Sequence, residues 1–255
     1  MAERRSAEFS TEIVGGRTLR VARWNWEQPG QHLPLLFFNG IGTNIEAITP
    51  PAEALTERAF MTFDMPGIGG SPEPVMPYTM SSMSLVVADL LDHFAVSQAD
   101  LMGVSWGGGL AQHFALQHPS RVRRLVLAAT SAGCAMIPGN PFAMASLADF
   151  APMSAASPIG LSYQLLAMFG WTSAPALPFL RQDTLIMMGD ADPVMPLANG
   201  HLLHTLIPNS RLEVVRGGGH WFMLSHQAQT LRALRRFLDA SDNMERPNTL
   251  DKVAA

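Results

Sequence analysis

Short apolar runs, broken by glycine-rich stretches, set the rhythm of this chain. Thr11 to Trp24 alternates around Val14-Gly15-Gly16-Arg17 and predicts an antiparallel hairpin at a sheet edge. Pro34-Leu35-Leu36-Phe37-Phe38 is continuously apolar, as expected of a strand covered on both faces. Ala59 to Asp64 predicts the next strand. Residues 80–95 carry Leu85, Val86, Ala88, Leu90, Leu91 and Phe94 at helical spacing. Ala99 to Met102 closes another buried strand, and a helix follows to His118. Leu125 to Ala129, Thr184 to Met188 and Arg211 to Val215 predict three more strands. Helices are predicted from about Leu197 to Leu206 and from Gln227 to Leu238.

Strands alternating with helices predict an α/β fold with a mostly parallel, doubly wound sheet. Its reactive groups are expected beyond the carboxyl ends of the strands. The rhythm breaks between residues 131 and 179, which hold many of the prolines and methionines and no core strand. That stretch predicts a short helical lid inserted into a core formed by 1–130 and 180–240. Residues 241–255 are polar, lack a core pattern and are predicted to fray. Met packs adaptably around irregular apolar ligands, and equally well fills contacts between helices; the methionines between 136 and 168 fit either role.

Composition narrows the function. With 255 residues, 47% hydrophobic and 15% charged, the chain suits one globular unit with a large core. A net charge of −4 with no basic run argues against nucleic acid as a partner. The apolar runs are too short for a transmembrane segment. Met1 to Ser6 holds two arginines with no apolar core behind them, so no secretion signal is read. The one cysteine, Cys134, cannot form an internal disulfide and fits a reducing cytoplasm. It is expected to be a small buried apolar residue. No metal or cofactor is expected. His201-x-x-His204 lacks a third ligand, and the G-x-G pieces at Gly67–Gly69 and Gly217–Gly219 lack a dinucleotide context.

The candidate chemistry centres on Gly103-Val104-Ser105-Trp106-Gly107, a G-x-S-x-G turn between a strand and a helix. Serine at the apex of such a turn stands clear of the sheet, and glycine two residues either side avoids collision with backbone. The helix starting at Trp106 directs N–H groups and its positive dipole end at the reacting oxygen. Serine at neutral pH needs a base, and the base needs a third group to orient it. On such a sheet the order is serine, acid, histidine, each at a strand end. Asp190 and Asp192 both follow the 184–188 strand, and by position either serves as the acid. His220 follows the last strand behind three glycines. The other histidines fall in predicted helices (His93, His113, His201, His204), in loops (His32, His118) or at a helix start (His226). Two backbone donors are expected to hold a developing oxyanion: the N–H of Trp106 and that of Ile41, in the loop Asn39-Gly40-Ile41-Gly42.

From about Leu35 to Leu238 these motifs resemble the α/β-hydrolase superfamily. More narrowly, Phe38 to Asn44, Phe63 to Ser71, Gly103 to Gln112, Leu125 to Gly133, Gly170-Trp171-Thr172-Ser173 and Gly189 to Leu197 resemble the intracellular medium-chain-length poly(3-hydroxyalkanoate) depolymerases. The resemblance implies a cytoplasmic serine esterase acting on a stored aliphatic polyester, with a polyester granule surface as its partner. It implies Ser105 as nucleophile, Asp192 (the second Asp of Gly-Asp-x-Asp-Pro) as acid and His220 as base. Asn39-Gly40 replaces the His-Gly of many relatives, a change that leaves the backbone donor in place. Between Gly139 and Ser162 the insert is shorter than the family's, which opens the expected substrate range from polyester to small esters. The triad leaves C–C bond hydrolysis and perhydrolysis open, and ligand binding on a retained fold is the remaining alternative.

Overall fold

Gly15 and Gly16, at φ 55° and 70°, turn β1 (Glu8–Val14) back onto β2 (Arg17–Trp24). The structure, a computed structural model, describes residues 6–27, 32–140 and 156–240. Among the described residues six further strands join the sheet: β3 (Leu35–Phe38), β4 (Phe60–Phe63), β5 (Ala99–Val104), β6 (Val122–Ala128), β7 (Asp183–Gly189) and β8 (Ser210–Val215). Their order is β1-β2-β4-β3-β5-β6-β7-β8. β2 runs antiparallel to β1 and β4, and every later pairing is parallel.

The continuous apolar runs divide between two cores with a period of two residues. Leu36, Phe38, Leu101, Leu125 and Ile186 face one cluster, joined by α2 (Met80–His93), α3 (Trp106–Gln117) and α5 (Leu197–Leu206). Leu35, Phe37, Met102, Val126 and Leu185 face the other, joined by α1 (Thr49–Ala54), α6 (Phe222–Ser225) and α7 (Gln227–Leu238). A strand covered on both faces has no polar side to show, which is why these runs lack alternation. α2 starts at a reciprocal cap, in which Thr79 accepts from the Ser82 N–H and Ser82 accepts from the Thr79 N–H.

At the amino ends of the strands, charges replace apolar packing. Fully buried Asp100 accepts from Arg58 Nη1 at 3.2 Å and from Arg123 Nε and Nη2 at 2.8 and 2.6 Å. Arg123 and Arg124 donate to the Leu238 carbonyl at 2.9 and 2.6 Å, and Arg58 pairs with Asp239. The C-terminus of α7 is thereby clamped to the sheet.

Three features depart from the sequence expectation. The hairpin starts at Glu8 rather than Thr11. A 3-10 turn (Ile45–Ile48) runs into α1, in a stretch where the apolar pattern predicts no element; Pro50 and Pro51 suit a first helical turn. Cys134 is exposed, not buried. Its N–H donates to the Trp171 carbonyl at 2.8 Å as the chain leaves the sheet, so it edges the core without entering it. Of the expected lid, 156–179 contains α4 (Pro158–Met168), whereas 141–155 and the polar tail 241–255 lie outside the described residues.

Candidate active site

The carboxyl end of β5 delivers Ser105 in a conformation that L-residues rarely adopt, φ 54° and ψ −119°. Such strain persists only where the surroundings over-determine it. Here the Ser105 N–H donates to Ala128 O at 2.9 Å, and Thr130 Oγ1 donates to Ser105 O at 2.7 Å. Neighbouring backbone crowds the turn. A Cβ on Gly103 would lie 2.2 Å from Gly107 O, and one on Gly107 would lie 2.2 Å from Phe38 O. The glycines of the motif are therefore steric requirements.

The loop after β3 closes over the serine. A Cβ on Gly40 would sit 3.5 Å from Ser105 Cβ. Asn39 Nδ2 donates to Asn44 O at 3.3 Å, Thr43 N–H to Gly40 O at 3.3 Å, and Gly42 N–H to Gln164 Oε1 at 2.8 Å. Ile41 thus lies in a loop pinned on both sides. Trp106 opens α3, where the first N–H groups have no acceptor within the helix. Both expected oxyanion donors sit in segments that flank Ser105.

After β7, the two aspartates separate by their partners. Asp190 is exposed and accepts from Gly217 N–H at 2.6 Å, bracing the loop after β8. The Asp192 side chain is fully buried. Its Oδ1 accepts from the N–H groups of Val194 and Met195 at 2.8 and 2.9 Å, and its Oδ2 meets His220 Nδ1 at 2.8 Å. The carboxylate has no freedom left, so the imidazole it holds is oriented with Nε2 outward from the pair. The approach depends on Gly189, where a Cβ would fall 2.1 Å from Gly218 O in the histidine loop.

Among the described residues no hydrogen bond joins His220 to Ser105. His220 instead walls a small cavity of about 20 Å³ together with Gly40 and Val104, both of which abut the serine. Catalytic hydrogen bonds in unliganded sites are often long and tighten with substrate. Apart from Asn39, the cavity's other walls are apolar, among them Phe37, Ile48, Trp221 and Met223.

Two residues that support the site carry no signal strong enough to assign them from sequence. Buried Asp64, at the end of β4, accepts from Ile45 N–H at 2.8 Å, Gly70 N–H at 2.9 Å and Arg20 Nη1 at 3.2 Å. It ties the loop after β3 to the loop after β4. Burial raises its pKa, opposed by the hydrogen bonds from Gly70 and Ile45 and by Arg20. Its only sequence cue is its place before Pro66-Gly67. Gln164, on α4, gives no cue at all. Among the described residues no cluster of three or more His, Cys, Asp or Glu side chains is grouped to hold a metal ion, and no helix is long and apolar enough to cross a membrane.

Serine, carboxylate and imidazole follow β5, β7 and β8 in that order, on a sheet that is parallel from β4 to β8. This is the arrangement of the α/β hydrolases. The chain belongs to that family: the family described as alpha/beta hydrolase fold matches residues 34–157. Among curated relatives, the poly(3-hydroxyalkanoate) depolymerase of Ectopseudomonas oleovorans is 37% identical, over 90% of this chain and 92% of that protein. The 2-hydroxymuconate semialdehyde hydrolase of Pseudomonas putida is 27% identical, over 94% of this chain and 98% of that protein. Among solved structures, a hydrolase from Pseudomonas aeruginosa PA01 superposes with a TM-score of 0.80 at 25% identity, over 91% of this chain and 99% of that one. Fold and relatives together make this protein a hydrolase.

Proposed function

We propose that the protein is a serine-dependent carboxylic-ester hydrolase that acts through an acyl-enzyme. Its substrates are aliphatic 3-hydroxyacyl esters, in the manner of a poly(3-hydroxyalkanoate) depolymerase. In this reading His220 Nε2 takes the proton of Ser105 as Oγ attacks the ester carbonyl, and later activates water. Asp192 orients His220 and stabilises its positive charge. The N–H groups of Ile41 and Trp106 hold the oxyanion. The observation that carries the reading is the 2.8 Å contact between His220 Nδ1 and the buried Asp192 Oδ2, since a held Nδ1 leaves Nε2 as the working nitrogen. The 37% identity to a poly(3-hydroxyalkanoate) depolymerase supports the substrate class. An apolar lid helix, with Leu165, Leu166 and Phe169 exposed, suits an aliphatic chain or a polyester granule surface. One exposed cysteine supports a reducing, cytoplasmic setting.

The test compares wild type with Ser105→Ala on short and medium-chain nitrophenyl esters and on a polyester emulsion, alongside fluorophosphonate labelling. Loss of both turnover and labelling is expected; turnover that survives the substitution rejects the reading. C–C bond hydrolysis is the second reading, favoured by the similarity to a 2-hydroxymuconate semialdehyde hydrolase. A vinylogous diketone turned over faster than any simple ester would establish it in place of the first.

A further inference from the structure

We infer that Gln164 is a positioning residue for acyl transfer, setting the oxyanion loop from the lid helix; the inference rests on the serine-esterase reading above. Gln164 is fully buried on α4. Its Oε1 accepts the Gly42 N–H at 2.8 Å, and its backbone carbonyl accepts the Trp106 indole N–H at 2.8 Å. One residue of the lid therefore grips both the peptide that follows Ile41 and the side chain that follows Ser105. These are the two residues whose N–H groups serve as oxyanion donors in the reading.

The seat of the helix is built for this contact. Gly160, Gln164 and Ala167 form its buried face, at helical spacing. Gly160 lies directly against Gly67, where a Cβ on Gly160 would fall 2.4 Å from Gly67 O. Ser157 N–H donates to Gly67 O at 2.9 Å and Ser157 Oγ accepts from Gly160 N–H at 2.9 Å. With Gly67 and Gly160 in contact, the helix cannot shift without moving Gln164 against Gly42. Gly42 itself stands at φ 67°, so its peptide has no regular secondary structure to hold it.

Packing alone does not account for glutamine here. Its Nε2 is buried with no hydrogen-bond partner among the described residues, which is unfavourable. Methionine or leucine would fill the space without that cost. The amide supplies the Oε1 acceptor, and that acceptor is spent on the loop carrying Ile41.

The experiment compares wild type, Gln164→Met, Gln164→Glu and Ser105→Ala on nitrophenyl acetate and nitrophenyl octanoate, with a thermal melt of each. Methionine keeps the volume and removes the acceptor. Glutamate keeps an acceptor oxygen in either protonation state, and burial favours the neutral form, which adds no buried charge. Loss of one oxyanion donor costs about 10²–10³-fold in kcat, so a displaced donor is expected to cost about 10–10²-fold. Gln164→Met is expected to lose that much kcat on both esters, with KM within about threefold of wild type, and Gln164→Glu to restore most of the loss. Full kcat in Gln164→Met overturns the inference. So does a loss confined to the octanoate, which would make Gln164 a wall of the acyl pocket, or equal losses in both variants. If Gln164→Met does not fold, Gln164→Glu alone decides: kcat within about threefold supports the inference and a tenfold loss overturns it. An active Ser105→Ala sinks the esterase reading itself; an inactive one beside a fully active Gln164→Met sinks only the role of Gln164.

Discussion

The two ends of the sheet bury the same kind of group to different effect. At the carboxyl end, Asp192 is buried against one imidazole, and its second oxygen is spent on two backbone N–H groups. At the amino end, Asp100 is buried between Arg58 and Arg123. A guanidinium stays protonated at every accessible pH, so the Asp100 cluster can hold but cannot exchange a proton. An imidazole can take up and release a proton, so in the proposed reading the carboxylate beside it orients a base and steadies its cation. In the proposed reading a buried aspartate is thus a clamp or a working group according to its partner. The loops differ to match: Gly189 and Gly218 let the loops of Asp192 and His220 approach closely, while Arg123 ties Asp100 to the C-terminus of α7.

The sharpest break in this comparison is Asp192→Asn. It is expected to lower kcat by about 10⁴-fold with folding largely kept, because the amide favours the wrong imidazole tautomer. Steady-state kinetics with a thermal melt checks both halves, and activity near wild type would remove Asp192 from the chemistry. The counterpart is Asp100→Ala. Breaking a buried ion pair costs about 3–5 kcal/mol, so urea unfolding should move by that much while kcat of the folded fraction stays unchanged. A loss of kcat without a loss of stability would show that the two ends are not separable. Asp190→Asn sharpens the contrast within one loop. It keeps an acceptor for Gly217 N–H and is expected to cost less than about tenfold in kcat, against the far larger loss at Asp192.

The smallest effect lies between the ends, at His113 on α3. Burial holds its imidazole below the ordinary value, with His118 adding to the shift and Gln117 opposing it, and its Nδ1 accepts the Trp171 indole N–H at 3.1 Å. The folded state therefore prefers neutral His113. That stability is present above the unfolded pKa of about 6.5 and is lost as pH falls through the folded value. Melting temperature should fall on acidification from about pH 7.5 to 5.5, and His113→Gln should flatten part of the fall. An unchanged slope would exclude His113 as a contributor.

Much of the fold was legible because its signals are local. The unalternating runs at Leu35–Phe38 and Leu125–Ala128 are strands covered on both faces, and the Gly15–Gly16 turn requires positive φ. The Ser105 elbow is legible for the same reason: Gly103 and Gly107 are demanded by backbone within a few ångströms. Cys134 shows where local reading ends. Its type suggests the interior, and its place at the mouth of the lid leaves it exposed.

The sequence by itself determined the strands, the strained turn and the order in which serine, carboxylate and imidazole leave the sheet, because each follows from the covalent and steric limits of a few neighbouring residues. Tertiary structure decided which aspartate meets His220, that Asp64 joins two loops, and that Gln164 reaches Gly42 across 122 positions of chain. Such partnerships depend on how close separate elements pack and on which polar groups are left without water. No short stretch of sequence encodes either.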